Sequence, residues 1–327
     1  MNEQAAVPRT DVLGAPYVAE TIVLGDDHEG PVVATLVRRP AGSSRGRAVL
    51  HVHGFADYFF QTGYAEWWNA RGYDFYALDL RKYGRSLMPH QTANYVADLA
   101  EHFPELDAAW QRVTERDGHR EVVVSAHSTG GLITALWAHH RRPSALVGMA
   151  LNSPWLDLQG SALLRVVGTP VISQVGARQP MREIRRQVNG FYARSLHRDH
   201  EGEWDFDLAL KPMASFAVYA GWLRAVRSAH AELHRGLEVP VPVLVLASTR
   251  SSVPASMTED VHTTDIVLDV EQIRRWSTSI GRHVTYVGIE GAIHDVVLSR
   301  DPARTRVYDE LARWLTTYVQ RSSGTRR

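Results

Sequence analysis

The sequence has 327 residues, 44% of them hydrophobic and 22% charged, enough for one large domain with an insertion or for two domains. Lysine plus arginine and aspartate plus glutamate both number 36, and this balance argues against a nucleic-acid-binding protein. The absence of cysteine excludes disulfides, thiolate metal sites and a cysteine nucleophile. No apolar run approaches the ~18 residues of a transmembrane segment. Residues Met1 to Asp11 lack the pattern of a signal peptide, so we expect a cytoplasmic protein.

Strand and helix patterns alternate along the first half of the chain. A hairpin at a sheet edge is predicted first, from Tyr17–Leu24 and Val32–Arg38. Further strands are predicted over Ala48–Val52, Tyr73–Leu80, Val122–Val124 and Leu146–Leu151, and helices over Gln61–Arg71 and Thr92–Arg116. This alternation is typical of a mostly parallel, doubly wound α/β sheet.

The alternation stops between about Leu156 and Glu238, where helical patterns predominate. Strands resume at Val241–Ala247 and Val284–Ile289, and an amphipathic helix follows over Pro302–Tyr318. We therefore predict an α/β core from residues 1–155 and 239–320, interrupted by a helical cap insertion over 156–238. Residues 321–327 are predicted to be a disordered tail. The cap is expected over the carboxyl ends of the strands, where ligands bind in such sheets.

The segment Val122 to Gly131, V-V-V-S-A-H-S-T-G-G, carries the strongest functional signal. A β-branched run ends at a small-residue turn, and a helical pattern follows directly. A serine between two small residues, Ala126 and Gly130, is typical of a nucleophile elbow, although glycine is usual at the first of these places. The pattern predicts that Ser128 lies at the apex of the turn, above the N-terminus of a helix.

A nucleophilic serine needs a base, and the base needs an orienting acid. In this architecture the two follow later strands, in the order acid and then histidine. His294 lies in the short loop after the strand that ends near Ile289, and Asp265 follows the strand that ends near Ala247. We predict a catalytic triad of Ser128, His294 and Asp265. Asp269 and Asp260 remain alternatives for the acid, and Asp269 could instead cap the following helix.

Acyl transfer also needs donors for the oxyanion that forms in the transition state. One predicted donor is the backbone N–H of Thr129, the residue after the nucleophile. The other is the N–H of Phe55, because Gly54 permits a tight turn at the end of an apolar strand. His127 is interpreted as a structural residue.

Four segments resemble the α/β-hydrolase superfamily, and within it the monoacylglycerol lipase/lysophospholipase-like group, often labelled serine aminopeptidase-like. They are H-G-F at 53–55, D-L-R-K-Y-G-R-S at 79–86, A-H-S-T-G-G at 126–131 and G-A-I-H-D at 291–295. The resemblance covers about Tyr17 to Val319, apart from the cap. It implies an α/β-hydrolase fold and hydrolysis through an acyl-enzyme, with no metal or cofactor. Lys82 stands where such relatives commonly have glycine, and the segment before Asp265 is unusually long.

These features favour a serine hydrolase that acts on a small-molecule carboxylic ester with a small to medium apolar group, monoacylglycerol-like or similar. Apolar side chains between Leu163 and Trp222 could form a lid, and candidate substrate-binding residues are Trp155, Ile293, Phe191 and Tyr192. One alternative is an aminopeptidase, which would need an acid in the cap to bind the free amine; the candidates are Glu183, Glu201, Glu203 and Asp205. A lactonase and a non-catalytic ligand-binding protein are further alternatives.

Overall fold

The computed structural model describes residues 8–43, 45–158, 174–184 and 189–320, and within them nine strands form one sheet. The spatial order is β1-β2-β3-β5-β4-β6-β7-β8-β9. At one edge, β1, β2, β3 and β5 pair antiparallel in that order. The remaining pairs, along β5-β4-β6-β7-β8-β9, are all parallel. The strand bounds are Arg9–Thr10, Val18–Asp27, Gly30–Arg39, Arg47–Val52, Asp74–Asp79, Glu121–His127, Leu146–Asn152, Val243–Ser248 and Val284–Ile289. The predicted mostly parallel sheet is confirmed.

Helices cover both faces of this sheet, as the doubly wound arrangement requires. Their bounds are α1 Thr62–Asn69, α2 Phe103–Gln111, α3 Thr129–Arg141, α4 Phe191–Leu196, α5 Ala220–His234, α6 Glu259–Thr263, α7 Val270–Trp276 and α8 Ala303–Trp314. One buried cluster joins the sheet to α2, α3 and α5, and a second joins it to α1 and α8. Both faces of the central strands are buried, which explains their continuous apolar runs.

The helix predicted over Thr92–Arg116 is shorter in the structure. Its regular part, α2, begins only at Phe103. The segment before α2 forms a hydrogen bond to a distant turn instead. Asn94 adopts a left-handed φ of 61°, and its backbone N–H donates to the carbonyl oxygen of Lys82. Asp98 then caps the helical turn that leads into α2. Long-range contacts therefore override the helical pattern of this segment.

The segment between β7 and β8 contributes α4, α5 and a short helix at 174–178. Helix α5 packs onto the core through Trp222, Val226 and Leu233. The apolar residues expected in a lid at 163–172, and the tail predicted at 321–327, lie outside the described residues. Within the described part of the chain, no helix combines the length and apolar character needed to cross a membrane.

The turn after β5 contains a buried lysine, Lys82. Lys82 has a φ of 63°, in the left-handed region, and its side chain is fully buried. The ammonium lies 2.6 Å from Asp27 Oδ2 and 2.5 Å from Glu29 Oε2, at the tip of the β2–β3 hairpin. The two ion pairs attach the hairpin to this turn.

Candidate active site

The turn between β6 and α3 has the geometry expected of a nucleophile elbow. Ser128 adopts φ 51° and ψ −119°, a strained conformation for a non-glycine residue, immediately before α3 begins at Thr129. Its backbone N–H donates to the carbonyl oxygen of Asn152 over 3.0 Å. A Cβ on Gly130 would lie 2.2 Å from the carbonyl oxygen of His53, so only glycine fits there. Ala126, the other small residue of the motif, is fully buried without a comparable clash.

The structure brings Ser128, His294 and Asp265 together in the predicted order. The Nε2 atom of His294 lies 3.0 Å from Ser128 Oγ, and its Nδ1 atom lies 2.9 Å from Asp265 Oδ2. Because the carboxylate accepts, Nδ1 carries the proton and Nε2 presents its lone pair to the serine hydroxyl. All three residues are buried. This arrangement can move a proton from the serine to the imidazole.

Backbone donors fix the orientation of the Asp265 carboxylate. Its Oδ1 atom accepts from Val267 N at 2.8 Å and from Leu268 N at 2.7 Å, which leaves Oδ2 for the histidine. Of the two alternative acids, Asp269 caps α7 by accepting from the N–H of Glu271. Asp260 forms a half-exposed pair with Arg250. Neither is hydrogen-bonded to His294.

Two further histidines pack beside the site. The His127 ring lies 4.8 Å from that of His294, with Nδ1 3.2 Å from the Asn152 carbonyl oxygen. His53 Nε2 accepts from Leu80 N, so Nδ1 carries the proton and donates to Gly54 O over 2.8 Å. Burial lowers the pKa of both imidazoles and favours their neutral forms. His53 thus supports the loop that leads to Phe55.

A cavity of about 600 Å³ opens over Ser128 and His294. Both predicted oxyanion residues, Phe55 and Thr129, line it. Trp155 and Trp222 form an aromatic wall with Phe55, whose ring centroid lies 4.5 Å from that of Trp222. The volume is in the range of small-molecule sites.

Only two of the four predicted substrate-binding residues reach the cavity. Trp155 and Tyr192 line it, and the Tyr192 hydroxyl also accepts a hydrogen bond from Asp295 N at 3.1 Å. The expectation for Ile293 is not met, because Ile293 is absent from the described part of the cavity lining and packs in the buried cluster that joins the sheet to α1 and α8. Phe191 is also absent from the described residues that line the cavity, since it lies at the first position of α4 and the next residue faces inward instead.

The sequence-based reasoning missed a buried ion pair in the cavity. Lys211 Nζ lies 2.8 Å from Asp57 Oδ1, and their side chains are 8% and 2% exposed. Burial alone would raise the pKa of Asp57, but the ammonium outweighs it and holds the pKa at about 2. The sequence offered one signal, the rarity of lysine, because Lys82 and Lys211 are its only lysines. In the structure both are buried.

Asp57, His127 and Asp295 place possible ligand atoms within 4.8 Å of one another. Their other contacts explain this cluster without an ion. The Lys211 ammonium is bound to Asp57, and two side-chain amides donate to the oxygens of Asp295.

Comparisons with known proteins place the chain in a family. The family model described as "Serine aminopeptidase, S33" matches residues 43–302, which is most of the sequence. The chain belongs to this family. The match confirms the expected superfamily. A comparison with curated proteins found no match.

Several solved structures share the fold of this chain. A soluble variant of monoglyceride lipase from Saccharomyces cerevisiae, in complex with a substrate analogue, superposes with a TM-score of 0.65 at 16% identity, covering 96% of this chain and 97% of that one. Paleococcus ferrophilus monoacylglycerol lipase gives a TM-score of 0.62 at 20% identity, covering 86% and 98%. A thermophilic esterase from Thermogutta terrifontis, with malate bound, gives 0.56 at 16% identity, covering 90% and 98%. At these identities the likeness establishes the α/β-hydrolase fold.

Proposed function

We propose that the protein is a serine hydrolase that cleaves carboxylic esters through an acyl-enzyme intermediate. The hydrogen-bonded chain from Ser128 through His294 to Asp265 carries this proposal. Similar fold in lipases and an esterase is consistent with ester hydrolysis.

In the proposed reaction, Ser128 Oγ attacks the carbonyl carbon of the ester while His294 Nε2 takes the hydroxyl proton. The new imidazolium is stabilised by the Asp265 carboxylate. The proton then passes to the oxygen of the leaving alcohol as the C–O bond breaks. A water molecule, deprotonated by the same imidazole, attacks the acyl-enzyme and releases the acid and the free serine.

The negative oxygen of each tetrahedral intermediate would be bound by the backbone N–H groups of Phe55 and Thr129. The packing of Gly130 against the His53 carbonyl supports this role, because it holds the two loops together. Each such donor is typically worth on the order of 3 kcal/mol in the transition state.

The cavity favours an ester with a small to medium apolar group, monoacylglycerol-like or similar. The wall of Phe55, Trp155 and Trp222 suits an acyl or alkyl chain. On the polar side, the pair of Lys211 and Asp57 offers both donors and acceptors to hydroxyl groups.

The family description also raises the aminopeptidase alternative, and the acids of the cavity weigh against it. Of the four acids considered for amine binding, none is among the described residues that line the cavity. Glu201 pairs with Arg194, Glu203 with Arg304 and Asp205 with Arg198, and Glu183 is exposed. Residues 159–173 and 185–188 contain no acid in the sequence. Asp57 does line the cavity, but it is already bound to Lys211.

The decisive experiment compares p-nitrophenyl esters from acetate to palmitate with an aminoacyl-p-nitroanilide. Ser128→Ala is the test variant. Ser125→Ala is the matched control, because Ser125 is a buried serine of β6, three residues before Ser128, that bonds to His51 and Tyr64 instead of lining the cavity. Labelling with a fluorophosphonate reports the reactive serine independently of the substrate.

We expect ester turnover and labelling in the wild type and in Ser125→Ala, with a preference for short or medium chains, and neither activity in Ser128→Ala. Turnover of the anilide alone would favour the peptidase. Ester turnover that persists in Ser128→Ala would contradict the proposed mechanism.

A further inference from the structure

Asn152, the last residue of β7, contacts both halves of the proposed catalytic machinery. It lies beside His127 in the parallel pairing of β6 and β7. Its carbonyl oxygen accepts from Ser128 N over 3.0 Å, so its main chain holds the nucleophile. The residue is 7% exposed.

The Asn152 side chain reaches the loop of the catalytic histidine. Its Nδ2 atom donates to Asp295 Oδ1 over 2.6 Å, and its Oδ1 atom accepts from Val296 N over 3.0 Å. These partners fix the amide orientation, since only Oδ1 can accept from an N–H and only Nδ2 can donate to a carboxylate. The two bonds hold Asp295 and Val296, the residues that directly follow His294.

A second side chain binds the other oxygen of the Asp295 carboxylate. Gln61 Nε2 donates to Asp295 Oδ2 over 3.1 Å, and the Asp295 backbone N–H donates to the Tyr192 hydroxyl. Asp295 is 1% exposed, so these bonds are shielded from water. The position of the histidine loop therefore depends on a small, fully paired network that ends at Asn152.

We propose that Asn152 is a positioning residue that sets the distance between Ser128 Oγ and His294 Nε2. The inference rests on the proposed function. One residue fixes the backbone of the nucleophile through its carbonyl and the loop of the base through its amide. A displacement of about 1 Å between reacting groups can lower a rate on the order of 100-fold, so the coupling should be visible in kcat.

The network permits a test by exchange of the two side chains. Asn152→Asp sets two carboxylates against each other where Nδ2 and Oδ1 are now 2.6 Å apart. Their repulsion should displace the histidine loop. In the double variant Asn152→Asp/Asp295→Asn, the new amide at 295 can donate to the carboxylate at 152 and still accept from Gln61. The carboxylate at 152 can still accept from Val296 N, so every bond described above is restored.

We expect Asn152→Asp to lower kcat for a p-nitrophenyl ester on the order of 100-fold while KM changes by less than about threefold. The exchanged double variant should return kcat to within about fivefold of the wild type. The rate of fluorophosphonate labelling should follow kcat. Ser125→Ala, which removes two buried hydrogen bonds elsewhere on β6, should leave kcat unchanged.

A kcat for Asn152→Asp within twofold of the wild type would overturn the inference, and so would an exchanged variant that folds but is not rescued. If Asn152→Asp does not fold, Asn152→Ala takes its place, with the same expected fall in kcat at a maintained KM. A wild type that neither turns over esters nor is labelled would refute the proposed function itself, and this inference with it.

Discussion

Replacing Lys211 with methionine should make the stability of the protein depend on pH in a new way. In the wild type the Lys211 ammonium lowers the pKa of Asp57 from its usual 3.8 to about 2. Because the folded-state pKa lies below the unfolded-state value, this pair stabilises the fold above about pH 4 and loses that effect as the pH falls toward 2. The difference corresponds to a contribution on the order of 2 kcal/mol.

In Lys211→Met, Asp57 remains buried without a cation, and burial then raises its pKa above the usual value. Removing one partner of a buried pair typically costs about 3–5 kcal/mol near neutral pH. The penalty should shrink as the pH falls, because Asp57 takes up a proton and no longer carries an unpaired charge. The double variant Asp57→Asn/Lys211→Met should recover most of the loss at pH 7.

Urea unfolding of the wild type and the variants at several values between pH 8 and pH 5 measures these free energies. Arg198→Met is the matched control, since it breaks a pair with Asp205 whose side chains are 61% and 62% exposed, and it should change stability little at any pH. A penalty for Lys211→Met that is constant across this range would refute the reasoning. So would a double variant that is as unstable as the single one.

Three further predictions concern the elbow, the acid and the Lys82 turn. Asp265→Asn should lower kcat about 10⁴-fold, because an amide no longer holds the imidazole in the required tautomer. Asp269→Asn should leave steady-state kinetics nearly unchanged, since asparagine also caps a helix. Gly130→Ala should destabilise the fold by about 1–3 kcal/mol in urea unfolding and lower kcat, because the added methyl meets a backbone carbonyl at 2.2 Å; wild-type stability would contradict this packing. Lys82→Ala should unfold more easily than Lys82→Gly by about 1 kcal/mol, since only glycine avoids the left-handed penalty, and equal urea midpoints would contradict it.

Local patterns were sufficient to predict the sheet and the position of Ser128. Continuous apolar runs such as Val122–Val124 mark strands buried on both faces, and the small residues after them mark the elbow. The positions of Asp265 and His294 followed from strand ends, because parallel strands bring their carboxyl ends to one edge. The placement of side chains at strand ends is therefore predictable from a single sequence in this kind of fold.

Contacts between distant segments could not be predicted from local sequence patterns. Asp57 and Lys211 are 154 positions apart, and neither lies in a pattern that specifies its partner. Ile293 was expected in the pocket because it precedes His294 in the sequence. Adjacent residues of a loop can face opposite sides, and Ile293 packs into the core instead. The shortened α2 has the same origin, since long-range hydrogen bonds outcompete the helical preference of the residues before Phe103.

The burial of both lysines has a practical consequence for labelling. Lys82 and Lys211 are each bound to carboxylates inside the fold, so amine-directed reagents should meet no exposed lysine on the native protein. Bulky amine-directed dyes used under native conditions should therefore label neither lysine of the folded chain. Because Lys211 lines the cavity and Lys82 does not, the rate at which a small reagent labels Lys211 would report how easily it enters the cavity.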